Sequence, residues 1–377
     1  MYSFQKEYDL KAHSPLIHFQ HGSDGATLRV TEVKPKLDRY IIDKKGKDNI
    51  PDRWKRDDVN GKISLDYKLR IIATESKPPF NIGRGTPYDI YYGNMGENAQ
   101  VKKGVMNNAK LIVTCFEEDL RNYIDEIIGD FFIVTNFGTM QSKGFGSFTV
   151  DGKTNNICDV LKKEYTSNGH CYMFQSDSQN AFKQIKTVYS LMKSGLNLTR
   201  DGQYPQRYHR SFLFEYARKM RVRGRIADMG DEKAWMKQRK ISPALNRSGR
   251  YVEQHDTYSR YVRALLGIGE TIEYQDDGPK VKVTIKETSK TVERSDSPIL
   301  FKFIGNTVYF VGRKPNKEIY GKTFSFSSKM GKGELKVPEE NELPENFMNG
   351  FMEYSYQELL NCKRNFRDIK DIVLRRV

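Results

Sequence analysis

The order in which hydrophobic spacing changes along the first 150 residues constrains this fold more than any single motif. Tyr2, Phe4, Tyr8, Leu10 and Ala12 share one face and Ser3, Gln5, Glu7, Asp9 and Lys11 the other, which predicts a half-buried strand. Val30, Val33, Leu37, Tyr40 and Ile41 then recur at helical spacing, and Pro35, suited to a first turn, places the predicted helix start near Lys34. Alternation returns from Ile63 to Ile71, and Lys110–Phe116 reads as a buried strand. Leu120, Tyr123, Ile124, Ile127 and Ile128 form an amphipathic stripe stopping at Gly129, and Phe131–Val134 is predicted to begin the fourth strand. The expected class is α+β, with a ferredoxin-like (RRM-like) βαββαβ domain over residues 1–150.

That unit closes on Asn136–Val150, with glycines at 138, 144 and 146. Missing Cβ atoms there would let a polyanion reach the main chain. Lys143 supplies charge for phosphate, and Phe145 supplies a ring on which a base could stack. Lys143-Gly144-Phe145-Gly146 also fits the opening of the RNP1 strand pattern, which Ser147 and Phe148 then break. Residues 77–108, rich in Gly, Asn and Tyr (Arg84, Tyr88, Tyr91, Tyr92), read as a long functional loop.

The formal charge of +15 calls for an anionic partner, nucleic acid before membrane. Residues 200–263 hold sixteen Lys/Arg against seven Asp/Glu, including Arg207, Arg210, Arg221, Arg223 and Arg225. Tyr208, Phe212, Phe214 and Tyr216 interleave with them on what reads as a basic helical face, which suits either a phosphate-tracking surface or a solvated helix with aromatics in the core. A second mixed α/β domain is expected over 151–327, with helices over 157–163 and 181–192. Hairpins are expected at 271–293 and at Ile299–Phe303 with Thr307–Val311, the latter a candidate for a degenerate second ferredoxin-like unit. Residues 328–377 read as a linker followed by a helix beginning at Tyr356 and a basic tail. Cys158, His170 and Cys171 fit no common zinc spacing, so no resident cofactor is expected. A start without an apolar leader, and the lack of any apolar run near 18 residues, point to the cytoplasm.

The strand ending in Ser14-Pro15-Leu16-Ile17-His18-Phe19, the helix segment Thr31–Arg39 and the loop around Lys143–Phe148 come in the order found in the RAMP superfamily of CRISPR-associated proteins, which the chain resembles. Ser297–Lys302 is similar to a strand entry in the second domain of such proteins. The resemblance implies an effector subunit of type III-like kind that holds CRISPR RNA, or the guide–target duplex, beside other effector subunits. Lys34, Lys36, Arg39, Lys143 and the main chain of Gly144 and Gly146 would contact phosphate, and part of the 77–108 segment would enter between bases. Thr139, Met140 and Gln141 stand where the family loop often carries arginine.

Two catalytic alternatives follow. Asp24, assisted by His18 or His21, sits where some RAMP subunits cut target RNA with a divalent metal, although Asp24-Gly25 also suits a turn. The other is a metal-free CRISPR RNA-processing endoribonuclease using His18, His21 or His209 with a neighbouring cation. An unrelated RNA-binding ferredoxin-like module is the remaining alternative. Walker, HExxH, GxSxG and dinucleotide motifs are absent from the sequence.

Overall fold

The computed structural model describes residues 4–17, 26–59, 62–83, 85–88, 102–153, 155–165, 169–198, 207–242, 258–269, 271–274, 281–289, 291–292 and 295–377. It is a mixed α+β structure with small antiparallel sheets. The first unit contains β1 (Gln5–Ala12), α1 (Val30–Lys45), β2 (Lys68–Ala73), β3 (Ala109–Thr114), α2 (Glu118–Val134) and β4 (Phe148–Val150). The sheet order is β2-β3-β1-β4, with every neighbouring pair antiparallel. Register Tyr8↔Leu111 puts Tyr8, Leu10, Leu111 and Val113 on one face, buried against Val33, Leu37 and Ile41 of α1 and Leu120, Ile124 and Ile128 of α2.

Four local expectations are corrected. The first helix starts at Val30, so Pro35 lies inside it. Both Thr31 and Pro35 are exposed, so the carbonyl left without an intrahelical donor sits at the surface. The strand predicted over 63–71 breaks at Asp66, because Tyr67 turns inward beneath the Lys34 ammonium, 4.1 Å from its ring centre. Only β2 joins the sheet; Lys62–Leu65 pairs with Lys55–Val59. Phe131–Val134 is the last turn of α2, not a strand. It reads as an apolar run because Phe131 and Phe132 face the first core while Ile133 and Val134 face a second cluster. Gly129 lies within α2, where Lys153 packs too close for a Cβ.

A second unit follows: β5 (Tyr172–Gln175), α3 (Ala181–Lys193), β6 (Ile299–Ile304), β7 (Thr307–Gly312), α4 (Phe347–Cys362) and β8 (Leu374–Arg376). Its sheet order, β6-β7-β5-β8, repeats that of the first unit, and again all pairs are antiparallel. The expected 299–311 hairpin is present as β6 and β7. Thr271–Tyr274 and Val281–Glu287 pair as expected, and Thr323–Ser327 and Lys332–Lys336 extend them into a four-stranded sheet. Part of the expected 328–347 linker is therefore strand, and the last helix begins at Phe347 rather than Tyr356. The basic tail is β8, held by Arg375↔Met173 pairing.

The second sheet is covered on both faces. Phe301, Phe303, Val308, Phe310, Tyr172 and Phe174 face the main core, while Val311, Tyr309, Met173 and Leu300 meet Ile133, Val134 and the helix Ile157–Tyr165. Lys302, the charged residue in an apolar strand, has no exposed surface. Its Nζ donates to Phe132 O at 2.7 Å, Thr135 O at 2.8 Å and Phe148 O at 3.3 Å. It thus satisfies two carbonyls that the end of α2 leaves open and one on β4. Burial pushes this amine well below the ordinary lysine range, with Lys36 adding to the shift.

Candidate nucleic-acid interface

The glycine-rich stretch is a folded wedge between the two units. Phe137 N donates to Gly146 O at 3.0 Å and Gly146 N to Pro15 O at 2.8 Å, which closes the loop on the exit of β1. Thr139 N reaches Ile17 O at 2.9 Å, and Gly138 N reaches Glu32 Oε1 at 2.7 Å. On the opposite side Phe301 N donates to Ser142 O at 3.0 Å, and Asn136 Nδ2 to Phe301 O at 2.8 Å. The loop thereby occupies the free edge of β6 through a parallel bridge, Lys143↔Phe301.

The glycines serve this internal packing. Gly146 has φ +65°, and a Cβ there would run into the Phe137 carbonyl; at Gly138, φ +75°, it would come 2.7 Å from Ile17 O. The chain's own backbone takes the space expected for a polyanion. Gly144 N points to Gln141 O at 3.4 Å. Phe145 is fully buried, its ring 4.5 Å from Phe182 and 6.5 Å from Tyr88, so the expectation of an exposed stacking face is corrected. The RNP1-like residues lie in the loop before the last strand, not in a strand.

The loop and α1 do stand side by side. Lys36 Nζ joins them, donating to Asn136 O at 3.0 Å and Gln141 Oε1 at 2.8 Å while pairing with Glu32 at 2.9 Å. Lys34 is engaged with Asp38 at 2.9 Å and Leu65 O at 3.0 Å. Lys143 lies 5.0 Å above the Tyr189 ring, with Lys193 Nζ 5.7 Å from the same ring centre. Burial lowers the Lys143 pKa, and nearby Lys193 adds to the shift. Lys193 itself falls to about 7, through burial first and then Arg263. Arg39 is exposed and has no ion pair among the described residues.

The basic run of the second half divides likewise. Arg210 pairs with Asp231 and, at 3.5 Å, with Glu215, while Arg207 is in a short strand whose backbone pairs with Leu196–Leu198. Phe212 and Phe214 are core residues, Tyr216 packs on Phe347 and Phe351, and Tyr208 donates to Ser194 O at 2.6 Å. Of the two arrangements open for these aromatics, they take the core one. Arg221–Val222 pairs with Arg225–Ile226 across Arg223 (φ +50°) and Gly224 (φ +80°), a two-residue hairpin turn with both φ values positive. Arg221, Arg223 and Arg225 are exposed, without an ion pair among the described residues, and a Cβ at Gly224 would meet nothing within 4 Å. These three arginines of the basic run thus stand on a hairpin rather than on the helical face expected for them.

Asp24, His21, His18, Arg84, Tyr91 and Tyr92 lie outside the described residues. Tyr88 packs 5.3 Å from both Phe80 and Phe182. Cys158 and Cys171 are buried free thiols in one apolar cluster, and His170 is exposed. Among the described residues, no helix is long and apolar enough to cross a membrane.

Residues 3–196 match the family model described as the Cmr1 N-terminal domain, and residues 208–372 match the one described as the Cmr1 C-terminal domain. No curated protein matches the chain.

Proposed function

We propose that this chain, which belongs to the Cmr1 family of type III-B CRISPR RAMP subunits, holds the CRISPR RNA guide or its duplex with target RNA through the phosphate backbone. Membership in an effector complex makes other Cas subunits its expected neighbours. The observation that carries the RNA reading is the arginine hairpin: Arg221, Arg223 and Arg225 project without ion pairs among the described residues, in a chain of net charge +15. Backbone contacts of this kind position an RNA of any sequence, as a guide-holding subunit requires. Arg39, exposed on α1, is the first unit's contribution. The strand order β2-β3-β1-β4 with two crossover helices supports a ferredoxin-like reading of residues 1–150. The same order supports a second such unit, which residues 328–377 complete. The subunit works in the cytoplasm in this reading, and cutting by Asp24 stays an expectation of the sequence alone.

Fluorescence anisotropy with single-stranded RNA at about 50 and about 200 mM salt tests it. Wild-type affinity should fall steeply with salt. Joint replacement of Arg221, Arg223 and Arg225 by Ala should weaken binding roughly tenfold or more and flatten the log–log salt slope by about two units. Unchanged affinity and slope would remove the hairpin from the interface.

A further inference from the structure

Hydrogen-bond phase along β2 decides which of its main-chain groups are free. Thr74 N donates to Asn108 O at 3.0 Å, continuing the register of Lys68↔Thr114 and Ile72↔Lys110. Opposed residues of an antiparallel pair exchange bonds at every second position, so Lys68, Arg70 and Ile72 bond inward to β3. Leu69, Ile71 and Ala73 therefore turn their N–H and C=O groups away from the sheet. Strand β2 is the margin of that sheet, and among the described residues no group bonds to its outer edge.

The second unit uses the equivalent edge. β6 holds the same place in its sheet, and in the chain order of its unit, as β2 does in the first. The bond from Arg313 N to Pro298 O sets the same phase there, with Ile299, Phe301 and Phe303 turned outward. That edge is filled by the first unit's glycine-rich loop: Phe301 N donates to Ser142 O, and Phe301 O accepts from Asn136. Ile299, Phe301 and Phe303 are at most 2% exposed, whereas Leu69 and Ile71, core-facing at the matching sheet position, are only half-buried. Among the described residues no loop of this chain covers β2 in the same way.

Charge selects the occupant. On the bare face of β2, Lys68 and Arg70 are exposed and have no ion pair among the described residues, while nearby Lys110 is taken by Glu7 and Asp9 at 3.1 and 3.8 Å. Ile72 beside them is 39% exposed. Two copies of this chain paired along the edge would bring together Lys68 and Arg70 of both, which like charge opposes. A segment with a carboxylate on that face gains instead. Pairing of this kind needs a polypeptide, since the edge offers alternate N–H and C=O groups to another main chain.

We propose that the free edge of β2 takes an extended segment of a neighbouring protein subunit of the effector complex as a fifth strand. An acidic side chain of that segment lies against Lys68 and Arg70, and its main chain pairs with Leu69, Ile71 and Ala73. This docking does not depend on where RNA binds, so the two readings fail separately.

Hydrogen–deuterium exchange of the full chain, resolved to single residues, tests it. In the free chain the amides of Leu69, Ile71 and Ala73 should exchange fast and those of Lys68, Arg70 and Ile72 slowly. The other protein subunits of the complex are added one at a time, and one of them should slow the first set about tenfold or more while leaving the second set as it was. Ile71→Pro removes an outward donor and leaves the ladder to β3 intact, so it should cut incorporation into the co-expressed complex about tenfold with RNA affinity unchanged. Should that variant fail to fold, joint Lys68→Glu and Arg70→Glu replacement, at exposed positions, should deplete the chain from the complex in the same way. Unslowed exchange of all three amides in the assembled complex would overturn the proposal. So would protection brought by RNA alone, or by raising the concentration of the chain itself.

Discussion

The two units share one strand order and differ in what happens to the second face of each sheet. In the first unit the outer face of β1 and β3 stays at the surface, carrying Glu7, Asp9 and Lys110 in cross-strand pairs at 3.1 and 3.8 Å. In the second unit the corresponding face is buried beneath the end of α2 and the helix Ile157–Tyr165, with Lys302 inserted among carbonyls. Connectivity therefore does not decide which sheet face is available. The residues that cover it do, and here the first unit covers the second. An RRM-type mode would place RNA on the bare face, which carries Lys11, Lys68, Arg70 and Lys110 beside Glu7 and Asp9, but the loop aromatic meant for stacking is buried.

The strongest way to break this asymmetry is Lys302→Met, which keeps the length and removes the donors. Three buried carbonyls then lose their partner, and unfolding by urea should show a loss of roughly 3 kcal/mol or more. A wild-type midpoint would mean that the covered face does not depend on the plug. His13 tests the same junction through pH. Its Nδ1 accepts from Gly305 N at 3.2 Å and its Nε2 lies 2.8 Å from Thr149 Oγ1, so the folded state requires the neutral ring. Burial, followed by Lys302 and Lys11, lowers its pKa from 6.5 to about 4. Between those values the unfolded chain binds the proton and the folded chain resists it. The stabilisation is therefore complete above pH 6.5 and is lost as pH falls toward 4, up to about 3 kcal/mol. Stability measured at neutral pH and near pH 4.5 should show a shallower acid loss in His13→Asn than in wild type; parallel curves would refute it.

Smaller effects separate the units in binding. Arg39→Ala should weaken RNA binding several-fold at most, less than the triple hairpin variant, because a single phosphate contact is lost. An effect of Arg39→Ala exceeding that of the triple variant would move the main contact back to the first unit. Smallest of all, Glu7→Gln on the bare sheet face should leave the melting temperature unchanged within error, since solvent screens that pair.

Much of the first unit was legible because its strands and helices are half-buried and therefore periodic. β1, α1 and α2 all announced themselves this way. Legibility failed at Phe131–Val134, which is apolar on every side because two cores meet there. The second unit showed in sequence only through its 299–311 hairpin, because residues 194–298 separate α3 from its next strand. At the candidate site, composition located the cations but not their commitments. Lys34, Lys36 and Arg210 look like surface charge in sequence and prove to be internal partners, whereas Arg39, Arg221 and Arg223 are exposed. Only the folded chain distinguishes the two kinds.

The wedge formed by residues 136–146 has a consequence for assembly. A β-strand at the margin of a sheet can recruit a strand from another molecule and so propagate end to end. Here the margin of β6 is already taken by Ser142 and Lys143 of the same chain. Growth by strand addition at that edge is blocked from within, so stacking of copies through β6 must use side chains rather than a shared ladder.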